Sequence, residues 1–450
     1  MGNTDTIAAI ATPFGRGGIG VVRVSGKNVP VIAQAILGYM PRQRYAELSK
    51  FLDEDGSTID QGIVLYYHSP GSYTGEDVLE LQGHGGPLVM NMLLSRCLAV
   101  GARLAEPGEF TLRAFLNNKL DLAQAESVAD VIDASTSQAA RCAMRSLQGE
   151  FSVTICNLVQ LLINLRTLVE ATLDFPEEEI APPYATMHNS LDVVREQLER
   201  VLTSARQGSL LREGAQVVLA GQPNVGKSSL MNRLAGEELS IVTEVPGTTR
   251  DAIRQSIEIE GVSLRLIDTA GLRETEDPVE KIGVAHTKLV IEKADLVLLL
   301  VDSHLGVTIK DQKIIDKLPQ GVAFIKVFNK IDLLKETSRT KNEKDKSEVY
   351  ISVKTGAGID FLRQRLLEAI GWRPHSEGGG IFMARQRHLA ALVEAKNFLE
   401  EAAKIIKQKN QLELLAEELR LAQQALSLIT GEFKADDLLG EIFSHFCIGK

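Results

Sequence analysis

The 450-residue chain changes its hydrophobic period several times. Up to about residue 118, apolar and polar residues alternate in short runs. The runs Asp5–Thr12, Gly20–Ser25, Gly62–Tyr67 and Val78–Gln82 predict strands, and Leu88–Val100 predicts a helix. From Leu120 to about Arg206 apolar residues recur at helical spacing, as at Leu158, Leu161, Leu162, Leu165 and Leu168, with Pro176, Pro182 and Pro183 as breaks. Continuous apolar runs follow. Gln216–Ala220, Ser263–Ile267, Val322–Phe328 and Glu348–Ile351 read as buried strands, and Ser229–Ala235 opens a helix. Arg373–Gly380 reads as a linker, and residues 382–446, including Leu412–Leu421, are helical again. Neither helical piece looks like a full bundle alone. The expected architecture is therefore multidomain α/β and α. An α+β domain spans 1–118, a helical domain is split between 119–213 and 374–450, and an α/β domain is inserted at 214–373, free to swing on its linkers.

Composition narrows this picture in three places. A hydrophobic content of 44% suits globular cores. The four cysteines (Cys97, Cys142, Cys156, Cys447) form no C-x-x-C pair, which argues against zinc and disulfides and fits a reducing cytosol. The net charge of −10, without a basic block, gives no support for nucleic-acid binding beyond a local patch or a partner. No apolar run of about eighteen residues is expected, hence no membrane span, and the start lacks the layout of a signal peptide. Met1-Gly2 with Thr6 fits the myristoylation pattern, a match that chance also supplies.

Chemistry enters at Gly221-Gln-Pro-Asn-Val-Gly-Lys-Ser228, which fits G-x-x-x-x-G-K-[ST]. It lies between a predicted strand and a helix starting near Ser229, so phosphates would sit at a helix N-terminus. Gly221 and Gly226 let backbone amides, with that of Val225, turn onto the anion. Lys227 can reach the β- and γ-phosphates, and the Ser228 hydroxyl can ligate Mg²⁺. Asn329-Lys330-Ile331-Asp332 has the form of the guanine-recognition motif of GTPases. The Asp332 carboxylate can accept from N1–H and the 2-amino group, donors that adenine lacks, and such discrimination reaches roughly 10⁴-fold. Ser352-Val353-Lys354 fits the last GTPase motif, with Val where Ala is usual and the backbone amide directed at guanine O6. Asp268-Thr269-Ala270-Gly271 matches D-x-x-G, with Asp268 behind Mg²⁺ and the Gly271 amide toward the γ-phosphate. Gly247-Thr248-Thr249-Arg250-Asp251 fits the first switch, with Thr249 as the second protein ligand of Mg²⁺ and Thr243, Glu244, Val245 and Pro246 counted with it at the nucleotide. The motifs come in the right order, most of them directly after a predicted strand.

Leu272 stands where many small GTPases have a water-orienting Gln. A hydrocarbon cannot hold water by a hydrogen bond, so either hydrolysis is slow or the water is positioned from elsewhere. Glu280 can orient it, although a solvated surface acid is an equally good reading. Asn224 can ligate a monovalent cation together with backbone oxygens of Thr243, Val245 and Thr248. A K⁺ there would stand in for an arginine finger, worth about 10³–10⁵ in rate, about 4–7 kcal/mol; alternatively, Asn224 is a plain loop residue. Arg250, Arg254 and Arg273 are rival charge donors.

Segments outside these motifs are more specific. Ala11-Thr-Pro-Phe-Gly-Arg-Gly-Gly18, Tyr73-Thr-Gly-Glu-Asp-Val-Leu-Glu-Leu-Gln-Gly-His-Gly-Gly86, Ala105-Glu-Pro-Gly-Glu-Phe-Thr-Leu-Arg-Ala-Phe115, Asn118-Lys-Leu-Asp-Leu-Ala-Gln-Ala-Glu126 and Phe446-Cys-Ile-Gly-Lys450 closely resemble the MnmE (TrmE) family of tRNA-modification GTPases, essentially end to end. The resemblance implies an N-terminal folate-binding and dimerising domain. Arg23, Glu80, Lys119 and Lys450 would sit at 5-formyl-tetrahydrofolate or a related one-carbon folate. It implies K⁺ at Asn224, Glu280 orienting water, and GTPase domains of a homodimer meeting across their nucleotides. With the FAD-dependent partner MnmG, the family installs a carboxymethylaminomethyl or aminomethyl-type group on C5 of the tRNA wobble uridine, in the cytoplasm and away from membranes.

Cys447 has three readings. As a prenylation site it is poor, because Gly449 is not aliphatic. As a buried thiol it is inert. As a nucleophile toward C6 of uridine it needs a pKa lowered by Lys450 or His445. His84, between glycines, either binds substrate or packs its loop. Two rival functions stay open: a switch such as a ribosome-assembly GTPase, disfavoured by the acidic C-terminal region, and a folate enzyme with a merely regulatory GTPase domain.

Overall fold

The computed structural model describes residues 5–174, 183–237, 254–268, 294–316, 322–334, 337–343, 346–373, 380–408 and 411–431, with positions 442, 446 and 449. The chain forms two compact units. One comprises Met1–Ala129, Leu147–Val159 and Gln423–Lys450; the other comprises Asp130–Ser146 and Gln160–Ala422.

In the first unit, strands β1 (Ile7–Ile10), β2 (Gly20–Ser25), β3 (Glu47–Leu52), β4 (Thr58–Tyr67), β5 (Val78–Gly83) and β6 (Arg103–Leu104) form a sheet of order β3-β4-β5-β2-β1-β6. All pairings are antiparallel except β1 with β6. Side chains alternate across a strand, and this sorts β2. Val22 and Val24 join a core with Ile32, Ile36, Leu93 and Cys97 from α1 (Val29–Leu37) and α2 (Pro87–Ala99). Arg23 therefore points to the other face, and its register partner Glu80 on β5 does the same. There Phe110 of α3 (Glu109–Leu116) packs with Ile7, Ala9 and Ala105.

Between α3 and the α/β part, the described helices are α4 (Leu122–Asp133), α5 (Ser137–Leu147), α6 (Glu150–Asp174) and α7 (Tyr184–Glu213). Helix α6 is long and apolar enough, by length and composition, to cross a membrane, although Asn157, Gln160, Asn164 and Arg166 interrupt its apolar residues. Its buried residues Phe151, Ile155, Leu158, Leu162, Leu165 and Val169 recur every three or four positions, the pattern of a helix that buries one stripe.

The second unit carries a seven-stranded sheet. Its strands are β7 (Ala215–Gly221), β8 (Arg254–Ile259), β9 (Val262–Asp268), β10 (Leu296–Asp302), β11 (Ala323–Asn329), β12 (Arg339–Glu343) and β13 (Lys346–Tyr350), in the order β12-β13-β11-β10-β7-β9-β8. The five inner strands run parallel, with antiparallel β8 and β12 at the edges. Among the described residues, helices α8 (Lys227–Glu237), α9 (Ile309–Ile315) and α10 (Ile359–Ala369) belong to this α/β part. Parallel strands covered on both faces are apolar throughout, which explains Leu296–Val301, buried at every position.

Helices α11 (Gln386–Gln408) and α12 (Leu412–Thr430) follow, and α11 packs along α7. Where the chain enters and leaves the α/β part, one side chain joins the two tethers. Gln207 of α7, buried, donates to Gly371 O at 2.7 Å and accepts from Arg373 N at 2.8 Å. Asp130 likewise accepts from Arg212 Nε at 2.9 Å and Arg385 Nη2 at 2.8 Å. Residues 374–379 of the expected linker lie outside the described residues.

Candidate functional site

The loop between β7 and α8 is shaped by close backbone approach. Gly221 (φ 142°) and Gly226 (φ 101°) have positive φ. A Cβ on Gly226 would sit 2.5 Å from Asn329 Nδ2, and one on Gly221 would run into Leu300 O. Asn224 also has positive φ, 63°, at the exposed lip. Val225 is buried in the core under the loop. Lys227 Nζ donates to Gly221 O at 2.9 Å and Gln222 O at 3.0 Å. An ammonium has three donors, so one is left for a ligand. Burial pulls the Lys227 pKa below its ordinary value, opposed by the nearby Asp268 carboxylate. Ser228 Oγ donates to Asp268 Oδ2 at 3.3 Å, and Ser229 is exposed beside it.

The neighbouring strand β11 ends in a bracket. Asn329, buried, donates through Nδ2 to Val225 O at 2.9 Å, while its Oδ1 accepts from Lys330 N at 2.8 Å and Val353 N at 3.0 Å. One amide thus joins three of the sequence-predicted motifs. The Val353 amide, directed at guanine O6 in the sequence reading, here donates to Asn329. Ser352 Oγ donates to Asp332 Oδ1 at 2.6 Å. Lys330 (φ 71°) pairs with Asp302 at 2.7 Å, and Asp302 sits below its ordinary pKa because burial is outweighed by the Lys330 and His304 hydrogen bonds. Lys354 is exposed. Thr243, Glu244, Val245, Pro246, Gly247, Thr248, Thr249, Thr269, Ala270, Gly271, Glu280, Cys447 and Lys450 lie outside the described residues. Sequence reasoning missed Gln222, Thr308 and Asp311, which bond to one another beside the loop. The Thr308-x-x-Asp311 spacing of a capping box was the available signal.

A cavity of about 580 Å³ opens on the Arg23 face of the first unit, lined by Arg23, Arg44, Leu65, Tyr67, Tyr73 and Glu80 among others. Arg23 Nε and Nη2 both reach Glu80 Oε1 at 2.9 Å, Nη1 donates to Gly449 O at 3.5 Å, and the guanidinium lies 5.8 Å from the Tyr73 ring centroid. Burial raises the Tyr73 pKa. Lys119 is not among the lining residues: it donates to Pro70 O at 3.0 Å on the surface. His84 is bonded through Nδ1 to Asp60 at 2.8 Å, with its ring exposed. A larger cavity, about 1090 Å³, lies at the opposite end of the second unit's sheet, near Gln216, Asp295 and Gly371, and holds none of the sequence-predicted residues.

A mostly parallel sheet with G-x-x-x-x-G-K-S at the end of the inner strand β7, an acid ending β9 and Asn-Lys-x-Asp at the end of β11 defines a P-loop GTPase. Comparison with known proteins is more specific. A family model described as MnmE helical domain matches residues 122–447, and one described as GTP-binding protein TrmE N-terminus matches residues 6–119. The chain is 63% identical over 451 residues to the tRNA modification GTPase MnmE of Nitrosomonas eutropha, covering all of both chains. It is 55% identical over 449 residues to that of Neisseria meningitidis, covering 100% of this chain and 99% of the relative. Among solved structures, a single-residue variant of Aquifex aeolicus Era bound to GDP and AlF4⁻ is 27% identical, with 41% of this chain and 66% of that chain covered and a TM-score of 0.28. The chain belongs to the MnmE family of tRNA modification GTPases, as its sequence motifs led us to expect.

Proposed function

We propose that the chain is a K⁺-dependent GTPase that works as a cytoplasmic homodimer with an FAD-dependent partner of the MnmG kind. In this reading it installs a carboxymethylaminomethyl or aminomethyl-type group on C5 of the tRNA wobble uridine, with a one-carbon folate as carbon donor. The observation that carries the reading is the presence, in one chain, of both the phosphate-loop site and the Arg23–Glu80 cavity. The guanidiniums of Arg23 and Arg44 and the Glu80 carboxylate, among Leu65, Tyr67, Tyr73 and Val78, suit a flat, polar heterocycle with an acidic tail. Gly449, bonded to Arg23, supports a role for the C-terminal Cys447 and Lys450 near that cavity. The assignment of Lys119 to the folate is the weakest-supported, because its ammonium is engaged at Pro70. The working domains are 1–118, 119–213, 214–373 and 374–450.

In the GTPase site the third Lys227 donor is for the β- and γ-phosphates, cradled by the amides of Gly226, Lys227, Ser228 and Ser229. Asp332 accepts from guanine, with Asn329, Lys330 and Ser352–Lys354 walling the base. Ser228 Oγ offers a hard oxygen ligand for Mg²⁺, with Asp268, 3.3 Å from it, behind the ion; Thr249 would be the second protein ligand. The exposed Asn224 lip suits K⁺, with Thr243, Val245 and Thr248. These ions, when bound, offset charge on the phosphates. Glu280 orients the attacking water in place of the Gln that Leu272 replaces.

Steady-state GTP hydrolysis in K⁺ against Na⁺, on wild type and Glu280→Ala, tests the reading. Strong activation by K⁺ and near loss of activity in the variant are expected. Equal, slow rates in both salts, unchanged in the variant, would remove Asn224 and Glu280 from these roles.

A further inference from the structure

Gln222, which follows the first glycine of the phosphate loop, is anchored outside it. Its Nε2 donates to Thr308 Oγ1 at 2.8 Å and to Asp311 Oδ2 at 2.9 Å. Both acceptors belong to the first turn of α9, where they form a capping box. Thr308 N and Oγ1 donate to Asp311 Oδ2 at 3.0 and 2.8 Å, and Asp311 N donates to Thr308 Oγ1 at 3.4 Å.

A capping-box acid has no need to leave water: the box requires an acceptor, and burying a carboxylate costs free energy unless it is well paired. Asp311 is nevertheless 1% exposed, and its Oδ1 has no hydrogen-bond partner among the described residues. Three donors converge on the other oxygen, and one of them comes from the phosphate loop. The cap alone does not explain that burial, whereas the bond to Gln222 requires it, because a charged acceptor holds an amide donor more firmly than a neutral one. The carbonyl of the same Gln222 accepts from Lys227 Nζ at 3.0 Å. Gln222 is therefore gripped by α9 through its side chain and grips the lysine through its backbone.

We propose that Asp311, acting through Gln222, is a positioning residue of the phosphate loop: it fixes the carbonyl that aims the Lys227 ammonium and thereby sets affinity for the nucleotide phosphates. The test uses the full chain, with Kd for GDP, KM and kcat for GTP, and the melting temperature without nucleotide. The variants are Gln222→Glu and the Gln222→Glu, Asp311→Asn double. The first sets two carboxylates against each other. The second restores the bond with its direction reversed, the Asn amide donating to the Glu.

Gln222→Glu is expected to raise the GDP Kd and the GTP KM about tenfold, about 1.4 kcal/mol, with kcat close to wild type. The double variant is expected to regain most of the lost affinity. If the double variant binds GDP as poorly as Gln222→Glu, or if affinity falls only in step with melting temperature, Asp311 merely caps α9 and the proposal fails.

Discussion

Replacing Asn329 by Ala removes one side chain and strands two backbone groups. Val225 O loses its donor, Val353 N loses its acceptor, and both residues are buried. Lys330 N also loses Asn329 Oδ1, but it is only part-buried and water replaces the bond at little cost. A buried donor or acceptor left unpaired costs about 1–3 kcal/mol, so the two together cost about 2–6 kcal/mol. For a domain of this size each kcal/mol shifts the melting point by about 2–4 °C, so a mid-range loss of about 4 kcal/mol corresponds to about 8–16 °C. A chain of several domains melts in more than one step. The relevant transition is the one that GDP raises, since a ligand stabilises the part that binds it. Differential scanning calorimetry of wild type and Asn329→Ala, with and without GDP, reads the shift directly. If Asn329 touched only the base, the variant would bind GDP weakly yet melt as wild type does. A drop of less than about 2 °C in the GDP-sensitive transition would refute the bracket.

Two further outcomes follow from the same geometry. Asp332→Asn presents an amide where guanine needs an acceptor, so GTP affinity should fall toward the roughly 10⁴-fold limit of polar discrimination. Binding of a xanthine nucleotide, which carries a carbonyl at C2, should rise; competition binding with both nucleotides checks this, and unchanged preference would take Asp332 off the base. In the first unit, Arg103 holds Asp5 below its ordinary pKa, with Arg113 adding to it; for Glu109, burial pushes up but Arg103, Glu106 N and Arg113 outweigh it. Both folded pKa values are depressed, so their stabilisation is present above the unfolded values and is lost as pH falls through the folded ones. The hydrogen-exchange protection factors of β1 and β2, which correct for the pH dependence of the exchange chemistry itself, should therefore fall below about pH 4. Arg113→Leu, which strips the buried Glu109 of one of its two guanidinium partners and leaves Arg103 at 2.7 Å, should weaken the unit by less than the about 3–5 kcal/mol lost when a buried charge is left wholly unpaired.

Legibility varied with the reach of the interactions. The β2, β4 and β5 strands and α2 were readable because one buried face imposes period two or 3.6 on local sequence, and the phosphate loop was readable because its glycines are forced by close approach to Leu300 and Asn329. By contrast, α1 begins with Val-Pro-Val and β3 exposes Leu48, so neither carries a clean pattern. The helical spacing of α6 was readable at Leu158, Leu162 and Leu165, which share its buried stripe. Asn329 was legible as a base contact but not as a bracket, since Val225 and Val353 are far from it in sequence and meet it only through the parallel order of β7, β10, β11 and β13. Gln222 and Asp311 escaped for the same reason: a long-range pair leaves no period.

The stitch that Gln207 makes to Gly371 and Arg373 has a consequence for synthesis. On the ribosome α7 emerges complete, but both of its partners at that joint come only at the end of residues 214–373, and the α11 helix that packs along it follows them. At about 5–20 residues per second, that stretch takes roughly 8–30 s to appear. Throughout it Leu191, Val194, Leu198 and Leu202, all buried in the finished molecule, have no α11 to cover them. The GTPase segment can fold while it waits, so the nucleotide site is assembled before the helical scaffold closes around its tethers. GTP can thus bind the nascent chain once residues 214–373 have folded, before the last helices arrive.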